Sequence, residues 1–350
     1  MKRVWVTGGA GFIGNHLVRY LLHTKEAWEI HTIDALTYAG NLENLADVLP
    51  HPRHKFHKVD VADREAIQNL WEKAPPDAIL HLAAESHVDR SILSPLDFVH
   101  TNVLGTVTLL EMARIHWKGR SDVLFYQVST DEVYGSLAEG EFFTEGSPYD
   151  PRSPYSASKA AADHFVRAYG HTYGIPFLIS NCGNNYGPYQ FPEKLIPLTI
   201  THLIERKPIP VYGKGENVRD WIHVEDHVRA IALLLEKGKV GHTYLIGAES
   251  PRRNIEIVQL LCDLYDEITG ETCSRSLITF VKDRPGHDLR YAIKPSPHLK
   301  ALGWRPQIPL EEGLRQTIHW YLSHKEWLDS VRSGEYQRYY ELQYRERLGS

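Results

Sequence analysis

Along the first half of the chain the apolar residues keep switching between two periods. Short β-prone runs predict buried strands: Val4-Trp5-Val6, Glu29-Ile30-His31-Thr32-Ile33, Lys55-Phe56-His57-Lys58-Val59, Ala78-Ile79-Leu80-His81-Leu82, Val123-Leu124-Phe125-Tyr126-Gln127-Val128 and Phe177-Leu178-Ile179-Ser180. Between them the spacing is helical, as in Phe12, Ile13, Leu17, Leu21 and Leu22, and helices are expected over 63–73, 95–117 and 155–173. This alternation predicts an α/β fold, a doubly wound Rossmann-type parallel sheet with right-handed crossovers. Past residue 180 Pro and Gly become frequent and the alternation fades. Residues 1–180 should therefore form one domain bearing the reactive groups. Residues 181–350 should form mainly a smaller C-terminal substrate-binding domain, with some segments returning to the first.

Composition narrows the function. Hydrophobic residues at 42% and charged residues at 24% suit a folded globular protein and exclude disorder. A net charge of −5 provides no basic field for nucleic acid or an anionic membrane, so an anionic substrate must be met by a few local Arg and Lys residues. Cys182, Cys262 and Cys273 show neither CxxC nor metal spacing, so no metal is expected. No signal peptide precedes the first strand and no apolar run reaches membrane length, which predicts a soluble, cytoplasmic protein.

Thr7-Gly8-Gly9-Ala10-Gly11-Phe12-Ile13-Gly14 joins the first strand to the first helix. Gly8, Gly11 and Gly14 would give a tight turn, close approach of a pyrophosphate, and close helix–strand packing, with the helix N-terminus facing the phosphates. Asp34 follows the second strand, 20 positions after Gly14. A carboxylate there accepts from a ribose 2′-hydroxyl, and Ala35-Leu36-Thr37-Tyr38 holds no Arg or Lys for a 2′-phosphate, so the cofactor reads as NAD. Asp60-Val61 and Ala83-Ala84-Glu85-Ser86 fall at further strand ends, where they would meet the same dinucleotide.

The run ending in Val128 continues as Ser129-Thr130-Asp131-Glu132-Val133-Tyr134-Gly135. Ligands of open α/β sheets sit just beyond the carboxyl ends of the strands, where this hydroxyl and two carboxylates would project. Strand neighbours point to opposite faces, so both acids reach one substrate only if the strand has ended by Asp131. Tyr155 and Lys159 are spaced i, i+4 at the start of a helix and share a face. A free phenol titrates near ~10, and an adjacent ammonium would favour its ionised form.

Taken together, these residues resemble the extended short-chain dehydrogenase/reductase superfamily and, more narrowly, the dTDP-glucose 4,6-dehydratases. Leu36-Thr37-Tyr38-Ala39-Gly40-Asn41, Ala83-Ala84-Glu85-Ser86-His87-Val88-Asp89-Arg90, Asn184-Asn185-Tyr186-Gly187-Pro188-Tyr189, Pro192-Glu193-Lys194-Leu195-Ile196-Pro197 and Asp283-Arg284-Pro285-Gly286-His287 carry the narrower likeness. The resemblance implies C4 oxidation of a glucosyl nucleotide, elimination of water across C5 and C6, and hydride return to C6, in a deoxysugar (for example rhamnose-type) pathway. Tyr155 would take the C4 hydroxyl proton, Glu132 the C5 proton, Asp131 would protonate the leaving C6 hydroxyl, and Thr130 would bind the C4 oxygen. NAD, tightly bound and regenerated each turnover, would be lined by Gly8, Gly11, Phe12, Ile13, Gly14, Asp34, Ala35, Leu36, Thr37, Asp60, Val61, Leu82, Ala83, Ala84, Glu85, Thr101, Tyr155, Lys159 and Asn185. The nucleotide sugar would meet Ser86, Thr130, Asn184, Lys194, Leu195, Pro210, Val211, Tyr212, Arg219, Asn254, Asp283, Arg284, Pro285, Gly286 and His287.

Two departures stand out: Trp5 replaces the smaller aliphatic residue usual in the first strand, and Gly183 stands where the family commonly has Ser. A UDP-sugar 4,6-dehydratase and a sugar-nucleotide 4-epimerase or decarboxylase share the fold, though the last two need no acid–base pair at C5 and C6. The helices over 95–117 and 155–173 resemble those of a four-helix homodimer interface. Acids at Glu225 and Asp226 read as the capped start of a helix, not as metal ligands. The aromatic tail from Trp320 to Tyr344 reads as packing.

Overall fold

A computed structural model describes residues 2–332. Strands β1 (Lys2–Thr7), β2 (Trp28–Asp34), β3 (His54–Lys58), β4 (Ala78–His81), β5 (Leu124–Thr130) and β6 (Phe177–Cys182) all pair in parallel. The crossovers run through α1 (Phe12–Thr24), α2 (Arg64–Lys73), the short α3 (Val88–Leu93) and α4 (Pro95–Phe98), α5 (Gly105–His116) and α6 (Pro154–Tyr173). The chain then builds β7 (Asn184–Tyr186), α7 (Leu195–Glu205), β8 (Ile209–Tyr212), β9 (Val218–His223) and α8 (Val224–Lys237) before β10 (Thr243–Ile246) returns to pair with β6. The finished sheet reads β10-β6-β5-β4-β1-β2-β3, so the strand order reverses between β1 and β4. That switch point opens the crevice a dinucleotide needs.

Strand alternation sends Val4 and Val6 to one face of the sheet and Trp5 to the other. The first face packs on α1 and α8 through Leu17, Leu21, Val228 and Ile231, the second on α2, α5 and α6 through Ile67, Leu109 and Val166. Trp5 is fully buried, donates its indole N–H to Ala74 O (3.0 Å), and meets Trp71 edge-on. The large residue in the first strand is thus an anchor for α2. β11 (Pro251–Arg253), α9 (Asn254–Thr269), β12 (Ile278–Val281), α10 (Pro297–Ala301), α11 (Leu310–Ser323) and α12 (Lys325–Val331) complete the chain. β11-β9-β7 and β12-β8 form two small sheets, and Ile196, Ile200, Ile257, Leu261, Leu314 and Ile318 build a separate core beside them.

The single helix expected over 95–117 is interrupted. Val99–Leu104 is a π-helical stretch between α4 and α5, a type of bulge that helical periodicity does not reveal. At α8 the capping reading is supported: His223 accepts from Glu225 N, while buried Asp226 receives the N–H groups of Gln307 and Ile308. Among the described residues no cluster suits a metal ion, and no helix is long and apolar enough to cross a membrane. Trp320, Tyr321 and Trp327 of the aromatic tail pack together, whereas its part from 333 onward lies outside the described residues.

Candidate active site

β5 delivers its chemistry by stopping. Thr130 leaves the strand with extended backbone and caps a 3₁₀ turn, Asp131–Tyr134, its hydroxyl accepting from Glu132 N (3.2 Å). Asp131 and Glu132 therefore escape the strict alternation of a strand. Asp131 is 1% exposed and one of its oxygens has no hydrogen-bond partner. Burial first, and the charge of Glu132 second, push its carboxyl well above the usual carboxylate range. Of the two acids, Asp131 is the one whose surroundings favour keeping a proton.

Tyr155 lies in the first turn of α6 because that helix starts sharply. Ser153 and Ser156 form a reciprocal capping box, and Pro154 occupies the first helical position. The Tyr155 phenol lies close enough to Thr130, Glu132 and Asp131 for each to act on its proton, which brings the four groups into one site. Lys159 is 4% exposed and donates to Val128 O (2.8 Å) at the end of β5. Burial first, and the Glu132 charge second, push the phenol above its ordinary value.

The glycine turn has the shape a dinucleotide requires. Gly8 sits at φ +68°, and a Cβ on Gly14 would lie 2.1 Å from Gly8 O, so neither position accepts a side chain without strain. Gly11 caps α1 without a side chain, and no acid occupies the first turn, leaving Phe12, Ile13 and their N–H groups to a pyrophosphate. Asp34 ends β2 and accepts from Ala10 N (2.9 Å) and Leu36 N (2.8 Å), and its remaining lone pairs are available to ribose hydroxyls. The Ala35-Leu36-Thr37 loop follows directly, with Leu36 in the left-handed region. Asp60 fixes its own turn through Ala62 N (2.8 Å), and Val61 packs against Gly105. Thr7 holds the N–H groups of Leu82 and Ala83, bringing Ala83 against Gly8. Asn102 in the π stretch, beside Thr101, clasps Glu85 through both backbone groups (2.9 Å each). Burial pushes the Glu85 carboxyl up to about 7, against the pull of Arg90. On the far side, Asn185 is fixed by His227 (2.8 Å). These residues suit NAD.

Across the crevice, Lys194 precedes Leu195 at the head of α7 and donates to Ser86 O (2.6 Å). Tyr212 donates to Asp89 (2.7 Å), which also pairs with Arg284 (3.4 Å). Asp283 accepts from Arg284 N and from His287 (2.7 Å each), with Pro285 and positive-φ Gly286 shaping the loop between. Arg219 is buried, stacked on Tyr291 and donating to Asp288 O (3.0 Å), and it senses Glu132, Asp131 and Arg284. Asn184 and Asn254 each keep a buried side-chain oxygen without a partner. The Val211 side chain packs in the core of the small domain and neighbouring Pro210 is also buried, leaving Tyr212 as the half-buried residue of β8.

Several contributors lay outside the sequence reading. Asp89 organises Tyr212 and Arg284, while Glu193 binds Arg90 (3.1 Å) and Tyr38 (3.0 Å). Both acids sit inside quoted motifs, yet an acid beside an Arg or Lys looks like a surface pair until its partners are known. Gly183 lies 2.8 Å, measured from its hypothetical Cβ, from Asp220 O, so its place against β9 leaves no room for a serine without a shift.

A Rossmann-type sheet, a glycine turn with an acid after β2, and a hydroxyl–tyrosine–lysine group at the end of β5 define a nucleotide-sugar enzyme of the short-chain dehydrogenase/reductase type. The family profile of GDP-mannose 4,6 dehydratase matches residues 5–317. The dTDP-glucose 4,6-dehydratase of Salmonella typhimurium is 47% identical, the match covering 98% of this chain and 99% of that one. The structure of DesIV, the dTDP-glucose 4,6-dehydratase of Streptomyces venezuelae with NAD bound, has 45% identity and a TM-score of 0.87, covering 94% of this chain and 99% of the other. The UDP-glucose 4-epimerase of Thermus thermophilus, also with NAD, is more distant at 31% identity and a TM-score of 0.82 (92% and 99% covered). The chain belongs to the dTDP-glucose 4,6-dehydratase family.

Proposed function

We propose that this protein converts dTDP-glucose to dTDP-4-keto-6-deoxyglucose. The observation that carries this reading is the acid–base pair at the end of β5: Asp131, buried and with its carboxyl pushed well above the usual range, beside half-buried Glu132. An epimerase or decarboxylase has no use for that pair. NAD, held by the glycine turn and Asp34, supplies a reversible hydride acceptor and leaves each turnover unchanged. Tyr155 Oη receives the C4 hydroxyl proton and Thr130 Oγ1 fixes the C4 oxygen. Once C4 is a ketone the C5 hydrogen is acidic, and Glu132 removes it as Asp131 gives its proton to the departing C6 hydroxyl. Lys159 favours the developing oxyanion.

The remaining cofactor and nucleotide contacts follow the residue sets given above. Arg219, Arg284 and Lys194 are the cations suited to the diphosphate, as an acidic chain requires. We assign residues 1–180 to the cofactor half and 181–350 mainly to the substrate half, with β10 as a returning segment. Two copies should associate through the face bearing Leu93, Leu96, Val99 and Leu104, continued by Phe165 and Tyr173 of α6, all exposed apolar residues on neighbouring helices. Three free cysteines and bacterial relatives fit a cytoplasmic enzyme. Mass analysis after incubation with dTDP-glucose should show a product lighter by one water. An unchanged mass with an inverted C4 centre would make the protein an epimerase, and turnover of UDP-glucose alone would correct the base.

A further inference from the structure

Behind the reactive groups, one turn beyond Lys159 on α6, lies a carboxylate that no step above uses. Asp163 is fully buried. One of its oxygens collects three donors from three parts of the chain: the hydroxyl of Ser129 on β5 (2.7 Å), the phenol of Tyr149 in the loop before α6 (2.9 Å), and the amide of Asn181 on β6 (3.4 Å). The same Asn181 amide donates to Thr130 O (3.0 Å). The network therefore ties α6, which carries Tyr155 and Lys159, to the strand end that carries Thr130, Asp131 and Glu132.

We propose that Asp163 is a positioning residue that keeps Lys159 charged while clamping the ends of β5 and β6 against α6. Burial pushes the Asp163 carboxyl above its usual range, and the Lys159 charge with the Ser129 and Tyr149 donors acts against that. Its first oxygen accepts all three donors, an arrangement that favours the carboxylate, while the second is buried and has no hydrogen-bond partner. Lys159 needs such a counter-charge, since its buried ammonium donates to a neutral carbonyl, Val128 O. Burial lowers the proton affinity of Lys159, and Asp163 is the foremost charge acting against that. The other titratable or charged groups facing this pair are Tyr134 of the 3₁₀ turn, Tyr149, Cys182 of β6, His81 of β4, and Arg167, which donates to Tyr149 (2.8 Å). His164, His242 and Glu145 line a cavity of about 400 Å³ on the outer side of Arg167 and Tyr149. Asp163 is the member of this set that lies one helical turn from Lys159 and accepts from both strands.

The inference rests on Lys159 serving as the working ammonium of the proposed reaction. The test compares the pH profile of kcat/KM for dTDP-glucose in the NAD-loaded enzyme, in the wild type and in Asp163→Asn. The variant removes the charge at constant shape. Lys159 should then lose its proton at lower pH, moving the alkaline limb toward neutrality by roughly one unit or more, the effect of one opposite charge at close range. Asp163→Glu should bring the limb back toward the wild-type position. Ser129→Ala removes one hydrogen bond but leaves the charge, and should move the limb by much less than Asp163→Asn whatever it does to Tm. Should Asp163→Asn not fold, Tyr149→Phe deprives the carboxylate of one donor, raises its own proton affinity, and should shift the limb the same way by less. An unmoved limb in Asp163→Asn, or in Tyr149→Phe when only that variant folds, overturns the inference. A wild type that does not dehydrate dTDP-glucose overturns the functional reading instead.

Discussion

The two halves of this protein hold their reactive groups in different ways. In the cofactor half, backbone geometry does the placing: a strand ends, a glycine turn or 3₁₀ turn follows, and one side chain is presented. Asp34 at the end of β2 and Thr130 at the end of β5 are both of this kind. Where the substrate half meets the cofactor half, side chains hold one another. Asp89 gathers Tyr212 and Arg284, Asp283 gathers Arg284 and His287, and Glu193 gathers Arg90 and Tyr38, across sequence separations of up to 195 residues. The first half is a repeating pattern with chemistry at its edges. The second is an ionic lattice whose members are mutually dependent.

That contrast can be tested by mutation. The largest effect should come from the strand end: Glu132→Gln removes the C5 base at nearly constant shape and should lower kcat by roughly 10²–10⁴-fold with little change in KM, measured by steady-state kinetics. Next comes the packing that makes the regular half regular. Trp5→Ala should cost about 3–5 kcal/mol in denaturant unfolding, because it leaves a cavity against Trp71 and strips Ala74 O of its donor. Asp89→Asn probes the lattice. It should raise KM roughly tenfold to a hundredfold with kcat nearly intact, through the loss of charge-assisted bonds worth ~1.5–3 kcal/mol to two substrate-side residues at once.

The smallest effect concerns pH. Glu85 has its pKa raised to about 7 in the folded chain, so the folded state takes up a proton as pH falls from there toward the unfolded value. A raised carboxyl destabilises fully above its folded pKa and not below its unfolded one. Cofactor-free Glu85→Gln should therefore melt higher than the wild type at pH 8, by about 2–4 °C for each kcal/mol released, and the gain should vanish near pH 4, as thermal melts would show.

The same contrast explains what was legible in the sequence. The strand and helix order, the glycine turn and Asp34 could be read because period and spacing encode them directly. Tyr155 and Lys159 could be read because one helix places them on one face. The question of how Asp131 and Glu132 share a substrate could be posed but not answered. Its answer lies in Thr130 capping its own 3₁₀ turn, a local hydrogen bond that no periodicity announces. The π stretch at Val99–Leu104 escaped for the same reason. Asp89, Asp163 and Glu193 escaped because a buried acid with distant partners looks like a solvated one until the fold brings those partners together. Asp163 even sits in the expected helix, where a charged position ordinarily faces water.

The central claim is that one site performs a closed cycle in which the hydrogen leaving C4 reappears on C6. It is tested most directly by incubating the purified protein, without added NAD, with dTDP-glucose deuterated at C4 and locating the label by NMR and mass spectrometry. The predicted result is loss of one water with deuterium at C6 of the 4-keto-6-deoxy product. Deuterium retained at C4, with no water lost, would contradict it.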